Sequence, residues 1–374
     1  MNKTRIPMGD LRRQNTPLRA EIDAAIAAVL DSGWYVLGRE VAAFEQEFAS
    51  YCGVSHCIGV ASGAEALFLA LAALEIGAGD EVITVANACM YQVSAILQAG
   101  ARPVLVDIDP ATSNLDPRAL EAAITPRTKA LMPVHLYGRL ADMPAICAIA
   151  ARHGIPVIED AAQAHGAWAH DAESQPRRAG AWGTLACFSF YPSKNLGALG
   201  DGGALVTNDA ALAERLRRLR MYGWNEKYCT VEAGGRNSRL DEIQAAVLRV
   251  KLRGLEAGNA ARQVRAALYR ELLNDLPIAL PADEPGHAYH LFVIGANSRD
   301  ALRQHLSTAG IGSDVHYPFP AHLQPAYAQL GYKPGALPIT EHLAGQILSL
   351  PMFPELTHSE IEQVAAAVRA GVRQ

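Results

Sequence analysis

Short apolar runs alternate with longer Ala/Leu-rich stretches from residue 56 to residue 220. The short runs, at 56–60, 81–85, 104–107, 129–134, 156–159, 184–190 and 204–207, are rich in the β-branched and apolar residues of buried strands. The stretches at 64–75, 95–99, 142–153 and 209–220 predict helices. Strands apolar on both faces, alternating with helices, predict an α/β fold with a mostly parallel sheet covered on both sides. Right-handed crossovers place the strand C-termini, and the ligand-binding loops that follow them, along one edge.

The pattern breaks between 222 and 239 into a polar loop, and a loop of that length in a compact domain is usually functional or interfacial. A helical stretch at 241–273 then leads to a second region. Its strand signals lie at 289–294 and 312–316, with a helix at 300–309 and a terminal helix from about 359. The expectation is a large domain over 1–250 and a smaller C-terminal α+β domain over 251–374, with the N-terminal segment packing on the smaller one.

Composition narrows the function classes. The 374 residues are 50% hydrophobic and 19% charged, ordinary for a globular protein, and the net charge is −5. No basic footprint for nucleic acid is present, and no apolar stretch reaches the length of a membrane span. The first 18 residues lack the apolar core of a signal peptide. The six cysteines show no zinc spacing with histidine or with each other, so they read as reduced thiols, and no metal site is expected. The expected location is the cytoplasm.

The candidate chemistry centres on Lys194, which follows the apolar run Cys-Phe-Ser-Phe-Tyr at 187–191 and precedes Asn-Leu-Gly-Ala-Leu-Gly-Asp-Gly-Gly. Burial at a strand end favours the neutral, nucleophilic amine. Such a lysine can form a Schiff base with a substrate carbonyl or with pyridoxal phosphate; a surface lysine in a glycine-rich turn is the plainer alternative. Asp160 ends another apolar strand, where a carboxylate can pair with a protonated ring nitrogen or simply cap a helix. Gln163 and His165 follow it, the first a candidate for a cofactor ring or its 3-hydroxyl and the second for a buttress of Asp160; a satisfied polar residue near a helix start is the alternative for either. Ala61-Ser62-Gly63-Ala64 joins a strand to a helix, where free N–H groups attract a phosphate. Ser189 offers a hydroxyl to the same group. Asn237 and Ser238 end the polar loop, where either can also cap the following helix. No GxGxxG follows the first strand, which argues against a nicotinamide dehydrogenase.

These segments, in this order, resemble the DegT/DnrJ/EryC1/StrS family of sugar aminotransferases over nearly the whole chain. The resemblance extends to Ser32-Gly-Trp-Tyr-Val-Leu-Gly38, Pro133-Val-His-Leu-Tyr-Gly138, His316-Tyr-Pro318 and Leu348-Ser-Leu-Pro351. It implies fold-type I of the pyridoxal-phosphate enzymes and a homodimer with shared active sites. It implies Lys194 as the Schiff-base lysine, Asp160 on the pyridine nitrogen and Gln163 near a cofactor oxygen. Ser189 and the Gly63–Ala64 backbone would hold the phosphate, with Asn237 reaching it from the partner subunit. Two positions depart from the family: Ala64 replaces the usual threonine, and Cys89 stands where an aromatic ring commonly stacks, with Tyr91 two residues on. The implied reaction moves an amino group from L-glutamate to a nucleotide-linked keto-sugar. Arg239, Tyr317, His322 and the 222–236 loop are candidates for the sugar or pyrophosphate. The residues after Lys194 resemble the branch acting at C3 of a dTDP-linked 3-keto-6-deoxyhexose. Amination at C4, or of a cyclitol, is the alternative. A dehydratase of this fold would carry histidine in place of Lys194, and a non-catalytic regulator would not need the intact set.

Overall fold

The computed structural model describes residues 6–372. Seven strands build the central sheet: β1 (His56–Val60), β2 (Glu81–Val85), β3 (Arg102–Val106), β4 (Thr128–Leu131) and β5 (Ile158–Asp160), then, beyond the small hairpin β6 (Trp168–His170) and β7 (Pro176–Arg178), β8 (Leu185–Ser189) and β9 (Gly203–Thr207). Ladders give the orders β1-β9-β8-β5 and β3-β2-β4, and parallel bridges Leu131–Val157 and Val134–Asp160 join the two. Six strands share one direction. Only β9 runs against both neighbours. The reason is its connection: the 13 residues between β8 and β9 form no crossover helix, so the chain doubles back.

Side chains alternate across this sheet. Leu185 and Cys187 of β8 pack with the helix Gly63–Ala73, whereas Ala186 and Phe188 pack with Phe44, Phe48 and Phe190. That helix sits in the core and is apolar nearly all round, and Ser62 caps it by accepting the Glu65 N–H. Asp142 and Asp209 start two flanking helices in the same way.

A separate apolar cluster joins residues 266–368 with Ile6. It is built from the helices Arg299–Thr308 and His358–Val372 and, beyond the surface hairpin β10 (Trp224–Glu226) and β11 (Cys229–Thr230), from the antiparallel pair β12 (Phe292–Gly295) and β13 (Ile347–Leu350). The long helix Leu255–Leu273 enters both cores, with Leu255 in the sheet cluster and Leu273 in the C-terminal one. The N-terminal segment docks on the C-terminal cluster. Ile6 exchanges main-chain hydrogen bonds with Gly310 and Gly312, and Arg13 grips Glu360 through two bonds of 2.8 and 2.9 Å.

Two expected elements differ. The 241–273 stretch is two helices, Glu242–Leu252 and Leu255–Leu273, broken at Gly254. Residues 312–316 contribute one isolated bridge instead of a strand, because only Asp314 pairs, with Ser349. Among the described residues no helix is long and apolar enough to cross a membrane.

Candidate active site

The parallel strands deliver their ends to one sheet edge, and the chemistry collects there. Asp160 is the last residue of β5 and Ser189 the last of β8. Gly203, the first residue of antiparallel β9, pairs with both Ser189 and Val60, which draws the turn after β1 against β8. Both glycines at this junction are required by space. A Cβ on Gly203 would come within 2.4 Å of the Ser62 carbonyl oxygen, and one on Gly63 within 2.6 Å of Ser189 Cβ. The Ser62–Ala64 turn and Ser189 therefore form one cradle. The Ser62 oxygens accept the Glu65 and Ala66 N–H groups, and those of Gly63 and Ala64 have no partner among the described residues.

Lys194 is fixed through its neighbours. Its N–H bonds the Tyr191 carbonyl at 2.9 Å. Asn195 behind it donates to Asn259 Oδ1 and to the Ala288 carbonyl, both at 2.9 Å, and meets His290 Nδ1 at 3.1 Å. Lys251 Nζ holds the Gly197 carbonyl at 2.7 Å, and Gln244 Oε1 accepts the Leu199 N–H at 2.8 Å. The loop is thus stitched to two helices. Lys194 lines a cavity of about 350 Å³ shared with His290, His316 and Asp314.

The charges of Lys194 and Asp160 act on one another. Burial pushes the Lys194 amine below its ordinary value, against the pull of Asp160 and Cys89. Burial pushes Asp160 up, opposed by the Ala162 N–H at 3.1 Å, by Lys194 and by His135. Desolvation outweighs attraction for both groups, so a lysine that shares its proton readily faces a carboxylate that gains from a cationic partner.

The remaining candidates sort by contact. Gln163 is buried; its Oε1 accepts the Tyr137 N–H at 2.7 Å and its Nε2 donates to the Tyr317 hydroxyl at 3.0 Å. Gln163 thereby brings Tyr317 to the site, where Asp160 and Cys89 both raise the phenol's pKa alongside burial. Cys89 is half-buried with its thiol 3.4 Å from Met90 Sδ, and burial raises it despite the Met90 main chain, Tyr91 and the field of Lys194. Tyr91 is exposed, so Cys89 is the inner residue of the pair. Arg239 is half-buried with Nη1 3.6 Å from Met221 Sδ, and Asn237 is exposed beside Ser238, whose hydroxyl accepts the Ala61 N–H at 3.2 Å.

Two expectations are corrected. His165 does not buttress Asp160: its ring packs on Phe188 and Phe190, neither ring nitrogen has a hydrogen-bond partner among the described residues, and burial holds it down to about 3. His322 is buried and held by Glu341 Oε1 at 3.0 Å, which makes it a packing residue instead of an open substrate contact. Sequence reasoning missed Asn195, His290 and the buried pair His135–Glu159. Only the adjacency of Asn195 and Glu159 to the chemical residues signalled them.

The site fits pyridoxal phosphate. A depressed lysine, a buried carboxylate with a single peptide donor, and a glycine cradle at a helix start match its aldehyde, ring nitrogen and phosphate. The fold itself is that of solved aminotransferases. A crystal structure of Streptomyces venezuelae DesV in complex with a ketimine intermediate superposes with a TM-score of 0.95, at 50% identity over 100% of both chains. A Bacillus subtilis NtdA structure with bound cofactor PMP gives 0.91 at 32% identity, covering 100% of this chain and 86% of that one. Residues 17–369 match the DegT/DnrJ/EryC1/StrS aminotransferase family. The chain belongs to that family and is an aminotransferase. It is 51% identical over 368 residues to the dTDP-3-amino-3,4,6-trideoxy-alpha-D-glucose transaminase of Streptomyces venezuelae, covering 98% of this chain and 96% of the relative.

Proposed function

We propose that this protein moves the amino group of L-glutamate to C3 of a dTDP-linked 3-keto-6-deoxyhexose, using pyridoxal phosphate bound through Lys194. The observation that carries the reading is Lys194, depressed by burial and facing Asp160 at the edge where the strand ends converge. Bound pyridoxal phosphate supplies the carbonyl that receives the amine and the ring that accepts the electron pair.

The chain's residues do the rest. Lys194 Nζ, whose hold on its proton burial weakens, would take the proton from the donor's α-carbon and deliver it to the carbon that receives the amine; in the second half-reaction it would work in reverse. Asp160 holds a proton on the ring nitrogen, and the Ala162 N–H stabilises the carboxylate that does so. Gly63, Ala64 and Ser189 cradle the phosphate. Gln163 and Tyr317 brace one wall near the ring, and Cys89 takes the place of a stacking aromatic. Arg239 and the 222–236 loop meet the nucleotide-sugar, Asn237 reaches the partner subunit's phosphate, and the chain divides into domains near residue 250.

A homodimer is part of this proposal. Trp34, Tyr35, Leu199, Tyr222 and Tyr228 are exposed large apolar residues that a second subunit would cover. Light scattering should give twice the chain mass.

The test is turnover. Protein loaded with pyridoxal phosphate is given L-glutamate and a panel of dTDP- and UDP-linked 3- and 4-keto-sugars, and the product is read by mass and proton coupling. Amine at C3 of a dTDP-sugar is the expected result. Amine at C4, or on a UDP-sugar or cyclitol alone, would replace the acceptor assignment, and no turnover with any acceptor would overturn the reading.

A further inference from the structure

Glu159 and His135 are fully buried, with no exposed side-chain surface on either, and neither touches the candidate substrate or cofactor groups. An ion-pairing carboxylate in a core is costly unless every lone pair is met. Here they are met. Glu159 Oε1 accepts the N–H groups of Trp182 at 2.9 Å and Gly183 at 2.7 Å. Oε2 accepts the Gly180 N–H at 2.9 Å and lies 2.9 Å from His135 Nε2. His135 Nδ1 accepts the Ala141 N–H at 3.2 Å, which assigns the ring proton to Nε2 and points it at Glu159.

The location of this knot gives it a use. Glu159 and Asp160 are consecutive on β5, so their side chains leave opposite faces of the sheet. On the back face Glu159 collects the turn at 180–183 that leads into β8 and His135 from the segment that follows β4. On the front face Asp160 lies within the electrostatic reach of Lys194. The main chain repeats the clamp: His135 N–H donates to the Asp160 carbonyl at 3.0 Å, and Asp160 N–H donates to the Pro133 carbonyl at 2.9 Å. Asp160's own carboxylate has a single peptide donor, so its aim depends on the backbone beneath it.

We propose that the Glu159–His135 pair is the positioning device for Asp160, setting that carboxylate at the depth and angle from which it holds the cofactor's ring nitrogen. The proposal rests on the reading of Asp160 given above. The titratable groups that act on Asp160 are Lys194, Cys89 and Tyr317 from the site, Cys187 from β8 and, from the Glu159 side of the sheet, His135.

The test compares Glu159→Gln and His135→Leu with wild type and with a stability control, Leu302→Ala in the remote C-terminal core. Apoprotein is titrated with pyridoxal phosphate, and the pH midpoint of the bound-cofactor absorbance is recorded. Glutamine keeps the shape of Glu159 but turns an N–H group towards peptide donors. Both pair variants should bind the cofactor at least tenfold more weakly than Leu302→Ala at matched melting temperature. The midpoint should rise by a unit or more, because a ring nitrogen that loses its carboxylate loses the positive charge that repels the proton at the Lys194 linkage. His135→Gln, which can still donate to Glu159, should restore most of both. Affinity within twofold of the control with an unmoved midpoint would overturn the proposal. If wild type itself binds cofactor but ignores L-glutamate, the reaction assignment fails instead, and the affinity comparison still stands.

Discussion

The floor of the site and its rim are built by opposite means. On the floor, Glu159, Asp160 and Asn195 are buried and bonded to peptides or to other side chains, and Lys194 sits half-buried among them. The rim, from Tyr222 to Asn237, is a surface loop whose aromatic rings lie open. Tyr228 is 78% exposed and stacks edge-on to Trp224, which in turn lies against Tyr222. Its anchors are ion pairs at the loop's base, Glu232 with Arg215 and Arg218, and Arg236 with Glu65. A single chain can complete the first kind of structure. The second exposes apolar surface that awaits a ligand or another chain. On the proposed reading, reaction type belongs to the floor and substrate choice to the rim.

The largest effect that would separate the two is Lys194→Ala, which should lower turnover by about 10⁴-fold or more while leaving nucleotide-sugar binding by the rim intact. Asp160→Asn should follow at roughly 10²–10³, the scale of losing one preorganised electrostatic partner, with weakened cofactor binding. Loss of nucleotide-sugar affinity in either variant, measured by calorimetry, would blur the division.

Acid should damage the interior before the surface. His165 and His287 are held down to about 3 by burial and His290 well below its ordinary value, so all three are neutral in the fold. Unfolded, they take up protons below pH 6.5. Their share of stability is complete above that pH and is lost as pH falls towards 3, by about 1.4 kcal/mol per unit for each histidine. The melting temperature should fall between pH 6.5 and 5, and a flat profile would contradict this account of the interior.

The smallest effect is on the rim. Tyr228→Ala should change stability by less than about 0.5 kcal/mol, as for exposed positions generally. It should raise KM for the sugar acceptor several-fold and leave the half-reaction with L-glutamate unchanged. An equal loss in both half-reactions would mean that the hairpin shapes the floor as well.

Much of the floor was legible in the sequence because strand ends and glycine turns have local signatures. Lys194, Asp160 and the Ser62–Ala64 turn each follow an apolar run, and the structure places all three at one sheet edge. The antiparallel course of β9 was not legible, since apolar runs carry no direction. Glu159 looked like any polar residue near a strand end, because its four donors come from residues 135 and 180–183. His322 misled for the same reason: Glu341, its partner, is 19 residues away. The break at Gly254 was hidden by helical patterning on both sides of one glycine.

On the proposed function, Lys194 carries the cofactor and gives it up to an amino donor. Borohydride reduction of protein loaded with pyridoxal phosphate, followed by peptide mass mapping, tests it directly. The account predicts a pyridoxyl mass on Lys194 that disappears when L-glutamate is added before the reductant. A label on another lysine, or one that persists on Lys194 at saturating L-glutamate, would contradict it.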